Sequence, residues 1–257
     1  MENKRYIASV SWGKDSLAML LLLLRERERE REKQRYPLDE VVFFDTGMEF
    51  DAIYKTRDQI VPMLVEQGIK YTELKPDCEF EYLMFEKPVK NRNKPGVHFG
   101  YSWCGGRCRW GTSMKLRIIK NYCKGAIQYV GIAADEEQRF LKSQYEGKTL
   151  PLVQWGMTEK DCLELCYHNG YQWIESGIRL YDVLDRVSCW CCANKNLKEL
   201  RNIRMYLPKY WDQLKVLQSK TDRPMKGDGK SVFDLEDRFS KEGGEKNADR
   251  KDLGNAQ

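Results

Sequence analysis

A chain of 257 residues leaves room for one large domain, or one domain and a tail. Hydrophobic residues at 41% and aromatic residues at 12% can fill a core, which excludes global disorder, and the charge excess of 44 − 39 = +5 is mild. The longest apolar run, Leu17 to Leu24, falls far short of the ~20 residues needed to cross a bilayer, and no secretory signal pattern opens the chain. The expectation is a soluble cytoplasmic protein with no membrane association.

Strand and helix patterns alternate along the chain. Tyr6 to Val10 reads as a strand, Ser16 to about Arg35 as a helix, and Val41 to Phe44 as a buried strand. The alternating run Arg25 to Glu32 places like charges at i,i+4, so ion pairing supports a helix only weakly and the run reads as its solvated outer end. Phe50 to Gln67 reads as helix, Lys70 to Leu74 as strand, Thr112 to Cys123 as helix, Ile127 to Ile132 as strand and Thr158 to His168 as helix. Short apolar runs alternating with helical patterns predict an α/β fold: a doubly wound, mostly parallel sheet with helices on both faces.

The end of the chain differs in composition. Residues 219–257 hold nine basic, nine acidic and only eight apolar residues, so the whole charge excess belongs to residues 1–218. The division predicted is a domain over 1–218 and a charged, largely flexible tail over 219–257. Within the tail, Val232, Leu235 and Phe239 fall at helical spacing and predict a short docked helix over 231–239, with disorder after about Gly243.

Three strand ends carry chemistry. The first strand runs into Ser11, Trp12, Gly13, Lys14, Asp15 and Ser16, and then a helix. A glycine-containing turn at a helix N-terminus offers free backbone N–H groups and the positive end of the helix dipole, which is a phosphate site. Ser11 and Ser16 can add hydroxyls, Lys14 a charge, and Asp15 a magnesium or loop contact; a tight turn without a ligand is the plain alternative. The next strand ends in Asp45, Thr46 and Gly47, and a third in Gly131-Ile-Ala-Ala-Asp-Glu136-Glu-Gln-Arg139. In doubly wound sheets ligands sit at this carboxyl edge.

These three segments, in this order, resemble the PP-loop superfamily (adenine nucleotide α-hydrolase-like) and specifically its phosphoadenosine-phosphosulfate (PAPS) reductase branch. Pro151-Leu-Val-Gln-Trp155 and Cys189-Trp-Cys-Cys192 are similar to the family as well, so that the resemblance covers roughly residues 5 to 218. Trp12 stands where the family often has Gly, and Ala133 where it often has Arg. The resemblance implies a site for ATP with Mg²⁺, or for a sulfonucleotide, with ATP cleaved between its α and β phosphates to adenylate an acceptor. It further implies that Lys14, Asp15 and Arg139 are catalytic, that residues 11–16, Asp45, Thr46, Gly47 and Gly131 hold the nucleotide, that Glu136 faces the acceptor, and that Arg139 faces the α-phosphate or the acceptor. Such chemistry needs charge neutralisation on the leaving pyrophosphate more than a protein nucleophile.

Five of the nine cysteines fall in two groups, Cys104-x₃-Cys108 and Cys189-x-Cys191-Cys192. Two such groups can complete a tetrahedral or cubane metal site, buried unligated thiols being the alternative. The arrangement resembles the four-cysteine iron–sulfur site of sulfonucleotide reductases. It implies a [4Fe–4S] cluster on Cys104, Cys108, Cys189 and Cys192, with zinc as the alternative. Cys78, Cys123, Cys162 and Cys166 read as core residues. Those reductases also carry a nucleophilic cysteine near the C-terminus, and no cysteine follows Cys192 here, so thioredoxin-dependent sulfite release is not expected.

Between Lys87 and Ala134 there is no Asp or Glu. Arg92, Lys94, Arg107 and Arg109 lie in this stretch with Phe99, Tyr101, Trp103 and Trp110 among them. Cations interleaved with rings suit a nucleotide or a nucleic-acid strand, and these four residues are expected on the acceptor side of the site; a solvated basic face is the alternative. The leading expectation is a PP-loop ATP pyrophosphatase or adenylyl-transfer enzyme linked to sulfur transfer or nucleic-acid modification, with a nucleic acid or a sulfur-donor protein as further partner. A sulfonucleotide reductase, and a non-catalytic nucleic-acid-binding module with structural zinc, are the other two.

Overall fold

The computed structural model describes residues 4–29, 35–103, 108–142 and 147–252. The chain parts into two compact units. One takes the chain up to Asp77, Trp110–Asp182 and Arg186–Trp190; the other takes Cys78–Arg109, Val183–Asp185 and everything from Cys191.

The first unit is built on four parallel strands, β1 (Tyr6–Val10), β2 (Glu40–Phe44), β3 (Lys70–Leu74) and β6 (Ile127–Val130), in the order β3-β2-β1-β6. Every residue of β2 is buried, as its run of Val and Phe requires of a central strand. Helices α1 (Lys14–Arg29) and α2 (Asp51–Glu66) connect β1 to β2 and β2 to β3. Right-handed crossovers place these two helices on one face and α3 (Lys115–Tyr122), which leads back to β6, on the other. On the α3 face Ile7, Val42 and Phe44 pack with Ile119 and Cys123. The predicted α/β class, with a parallel sheet covered on both sides, is the observed one.

Several element boundaries moved, among them that of the strand expected over 127–132, which ends at Val130. Helix α1 begins at Lys14 rather than Ser16, and residues 30–34 of its expected outer end lie outside the described residues. The helix expected over 112–123 is α3, entered through a π-helical turn at Arg109–Met114. The first unit also holds α4 (Glu137–Phe140), α5 (Pro151–Gln154) and α6 (Glu159–His168), the last packed along α1 and closed by a Thr158–Asp161 capping box. The small pair β7 (Ile174–Glu175) and β8 (Ile178–Arg179) leads into α7 (Leu180–Val183).

The second unit holds a π-helical turn (Tyr82–Glu86), the antiparallel pair β4 (Pro88–Lys90) and β5 (Val97–Phe99), and helices α8 (Leu197–Tyr206), α9 (Pro208–Gln218) and α10 (Val232–Asp252). Val232, Leu235 and Phe239 are buried, the Phe239 ring lying 6.0 Å from that of Trp211. The helix expected over 231–239 therefore docks, but it continues through Gly243 and Gly244 to Asp252 where disorder was expected. The described residues from 219 to 252 fall in the same compact unit as α8 and α9. Among the described residues no helix is long and apolar enough to cross a membrane.

Candidate nucleotide site

The strand order sets where a ligand can sit. From β1 the chain moves through α1 to β2 on one side, while β6 lies on the other side of β1, so the switch point of the sheet falls at the carboxyl ends of β1 and β6. The loop after β1 and the segment after β6 meet there at backbone distance. A Cβ on Gly131 would stand 2.7 Å from Ser16 Cα and 2.9 Å from both Asp15 O and Ser16 N, so this approach needs glycine.

The loop is closed on itself. Ser16 Oγ accepts the Ser11 N–H at 3.1 Å and donates to Gly13 O at 3.0 Å, and the Ser11 and Ser16 hydroxyls lie 3.1 Å apart. Trp12, at the position where glycine was the more common expectation, adopts φ 60°. Its ring is fully buried between Phe43 and Tyr71, at centroid distances of 6.1 and 6.0 Å. Trp12 O accepts Trp173 Nε1–H at 2.8 Å; the Trp173 ring packs edge-on against Tyr181 at 5.0 Å, and Tyr181 OH accepts the Lys14 N–H at 2.8 Å.

Charge gathers at the mouth of the loop. Lys14 Nζ lies 2.7 Å from Asp15 Oδ1 and 3.1 Å from Glu159 Oε1, and carboxylate oxygens of Asp15, Glu136 and Glu159 come within 4.8 Å of one another. Burial depresses the Lys14 ammonium, but Asp15 and Glu159 outweigh it and hold its pKa above the usual value. Burial pushes the Asp15 carboxyl up against the opposing pull of Lys14. Arg139 Nη1 reaches both oxygens of Glu136, at 2.5 and 2.7 Å. A cation, a guanidinium and three carboxylates beside the loop backbone can hold a polyphosphate with a divalent metal.

At the end of β2, Asp45 Oδ1 accepts Gly47 N–H at 2.8 Å and Tyr54 OH at 2.7 Å, while Gly47 supplies φ 70°. Thr46 is buried and its hydroxyl donates to Glu49 Oε1 at 2.9 Å, so it is turned into the protein. Cys189 Sγ lies 3.7 Å from Glu49 Oε1 and 3.6 Å from Thr46 Oγ1. Burial raises the Glu49 carboxyl, opposed by Lys115, Thr46 and Cys189.

Residues 11–16, Asp45, Thr46, Gly47, Gly131, Glu136, Arg139 and Cys189 all belong to the first unit. Arg92, Lys94, Arg109, Cys108 and Cys192 belong to the second, where Arg109 stacks over the Tyr101 ring at 4.2 Å. Cys104 and Arg107 lie outside the described residues. The described thiols of Cys108, Cys189 and Cys192 are half-buried, and soft donors of this kind suit iron–sulfur or zinc. Glu159 and Tyr181 were missed from the sequence: they reach Lys14 from 145 and 167 residues away, with no local signal.

An uncharacterized protein from Methanocaldococcus jannaschii is 25% identical over 244 residues, which is 88% of this chain and 44% of that protein. The chain thus spans less than half the length of this relative. Among solved structures, the U34-tRNA thiolase NcsA from Methanococcus maripaludis with its [4Fe–4S] cluster aligns at 16% identity with a TM-score of 0.42, over 94% of this chain and 73% of its own. The phosphoadenosine phosphosulfate reductase domain matches residues 5–159, more than half of the chain, and the chain belongs to that family.

Proposed function

We propose that the protein is a PP-loop enzyme that cleaves ATP between its α and β phosphates. The acceptor's nucleophile bonds to the α-phosphorus, the bond to the bridging oxygen breaks, pyrophosphate leaves and the acceptor's proton passes to solvent. One observation carries this reading. At the switch point of a parallel sheet, a strand–loop–helix turn presents Lys14 together with the Asp15, Glu136 and Glu159 carboxylates. Lys14 and the loop amides would neutralise the leaving pyrophosphate, the carboxylates would hold Mg²⁺, and Arg139 would release Glu136 to meet the α-phosphate.

Cys104, Cys108, Cys189 and Cys192 are proposed to hold a [4Fe–4S] cluster, with zinc as the alternative. When bound, such a centre supplies a soft, sulfur-binding metal. The acceptor is proposed to be a nucleic acid, supported by the acid-free basic stretch from residue 87 to 134. The family match favours a second reading, reduction of a sulfonucleotide.

A product assay separates these readings. Anaerobically purified protein is given ATP, adenylyl sulfate or 3′-phosphoadenylyl sulfate with Mg²⁺, and AMP, pyrophosphate and sulfite are measured. Pyrophosphate from ATP is the expected result, with AMP formed where water takes the place of the acceptor. Sulfite with thioredoxin present would replace it by the reductase reading, and no product from any of the three would reject both.

A further inference from the structure

The β4–β5 hairpin carries a surface that the nucleotide site does not use. In its register Pro88 faces Phe99, Val89 faces His98 and Lys90 faces Val97. Side chains alternate across a strand, so Pro88, Lys90, Val97 and Phe99 share one face. All four are exposed: Phe99 keeps 69% of its surface and Val97 53%, and no ring among the described residues packs against Phe99. Val89 and His98, on the other face, are half-buried.

The hairpin is firmly mounted. Gly100 N–H reaches Lys87 O at 2.8 Å, Ser102 N–H reaches Met84 O at 2.5 Å, and a Cβ on Gly100 would stand 2.1 Å from Met84 O. In the connecting turn, Asn91 N–H bonds Gly96 O at 3.1 Å and Asn91 Oδ1 lies 2.8 Å from His98 Nδ1. A rigid two-stranded finger therefore holds a bare ring out to solvent. Lys90 shares that face two residues further along, opposite Val97, and Arg92 and Lys94 lie in the turn beyond; all three are exposed and none of them is in an ion pair among the described residues.

Burying a ring and two apolar neighbours offsets the cost of ordering a partner, while three unneutralised cations select an anion. A duplex keeps its bases stacked on one another and offers no π-face to Phe99, whereas an unpaired base does. Unpaired bases are the ordinary state of loops in folded RNA. We infer that the β4–β5 hairpin docks a single-stranded stretch of RNA, with an unpaired base stacked on Phe99 and successive phosphates on Lys90, Arg92 and Lys94. The inference rests on the reading of a nucleic-acid acceptor and names the element that would grip it.

The test uses the full chain and a fluorescein-labelled, unstructured oligoribonucleotide of about 12 nucleotides, a length near one single-strand binding site. Anisotropy is read over a salt series for the wild type, Phe99→Ser, the triple variant Lys90→Gln/Arg92→Gln/Lys94→Gln, and Lys55→Gln on α2 as a remote control. Phe99→Ser is expected to weaken binding about tenfold at every salt concentration, since stacking does not release counterions. The triple variant is expected to flatten the plot of log affinity against log salt by about 2, from about 0.7 per phosphate neutralised, and Lys55→Gln by less than 1. Wild-type affinity in Phe99→Ser would overturn the inference. So would tighter binding to the duplex or to a deoxy strand of the same sequence, or binding to anionic phospholipid vesicles with none to the oligonucleotide. ATP affinity is measured on the same samples. Retained ATP binding with no RNA binding rejects the hairpin alone; RNA binding without ATP binding rejects the enzyme reading and leaves the hairpin.

Discussion

The phenolic oxygen of Tyr181 accepts the backbone N–H of Lys14 at 2.8 Å, so a side chain from α7 occupies one of the amides through which the loop would hold a phosphate. Tyr181→Phe keeps the ring against Trp173 and removes only this acceptor. The variant is expected to be about 1 kcal/mol less stable without ligand. With ATP, a phosphate oxygen can take the vacated amide, so the ATP-induced rise in Tm is expected to be larger in Tyr181→Phe than in wild type. Equal rises would mean that the phenol and the nucleotide do not share that amide.

Lys14 holds its ammonium between Asp15 and Glu159 at the mouth of the loop. Lys14→Ala, Asp15→Ala together remove the cation and its nearest carboxylate and leave the loop backbone in place. Calorimetric titration should find ATP bound about 10- to 100-fold more weakly, the range of lost hydrogen bonds to charged groups. Wild-type affinity in the folded double variant would reject residues 11–16 as the nucleotide site.

Gly131→Ala tests the contact between β6 and α1. Its Cβ would meet backbone atoms at 2.7 and 2.9 Å, none of which can swing aside as a side chain would. A loss of about 1–3 kcal/mol in urea denaturation is expected, from overpacking of this size. Unchanged stability would mean that the two segments separate at little cost.

Glu236 accepts hydrogen bonds from Arg204 and from Trp211 Nε1, and Arg204 is the main cause that takes its carboxyl down to about 2 from the ordinary 4.5. A carboxyl depressed in the folded state contributes stability that is complete above the unfolded pKa and lost as pH falls through the folded one. Glu236→Gln should therefore be less stable than wild type at pH 7, with the gap closing between pH 4.5 and about 2. A gap independent of pH would assign the contribution of Glu236 to packing.

For the metal, anaerobically purified protein is expected to carry about one cluster per chain, absorbing near ~400 nm and lost in Cys189→Ser and Cys192→Ser. Cys162→Ala should keep it. Cys162 and Cys166 are fully buried on α6, and burial pushes the Cys162 thiol up to about 12, which leaves it protonated and unsuited to bind metal. Folded protein with neither iron nor zinc would reject the metal site.

The sheet was legible from short strand patterns set between helical ones: β1 and β3 begin and end at the residues that the pattern marks. The hairpin was not, since Pro88–Lys90 and Val97–Phe99 are too short to display an alternation. Helices α8 and α9 also passed unnoticed, although Leu200 and Ile203 in the one and Tyr210, Leu214 and Leu217 in the other fall at helical spacing and are buried. The loop of residues 11–16 could be located from its composition. The partners that shape it could not, because Glu159, Trp173 and Tyr181 are brought to it only by the packing of α6 and the segment after it.

Trp12 gives the loop a second identity. Its backbone takes a left-handed conformation that costs an L-residue roughly 1–2 kcal/mol, and its indole is sunk beneath the loop against Phe43 of β2 and Tyr71 of β3. The freedom that a glycine-rich loop surrenders when a ligand arrives is here surrendered once, during folding. An anion bound at this loop would meet a surface already set, so that its recognition would be inherited together with the integrity of the sheet: a chain could not loosen one without unpacking the other.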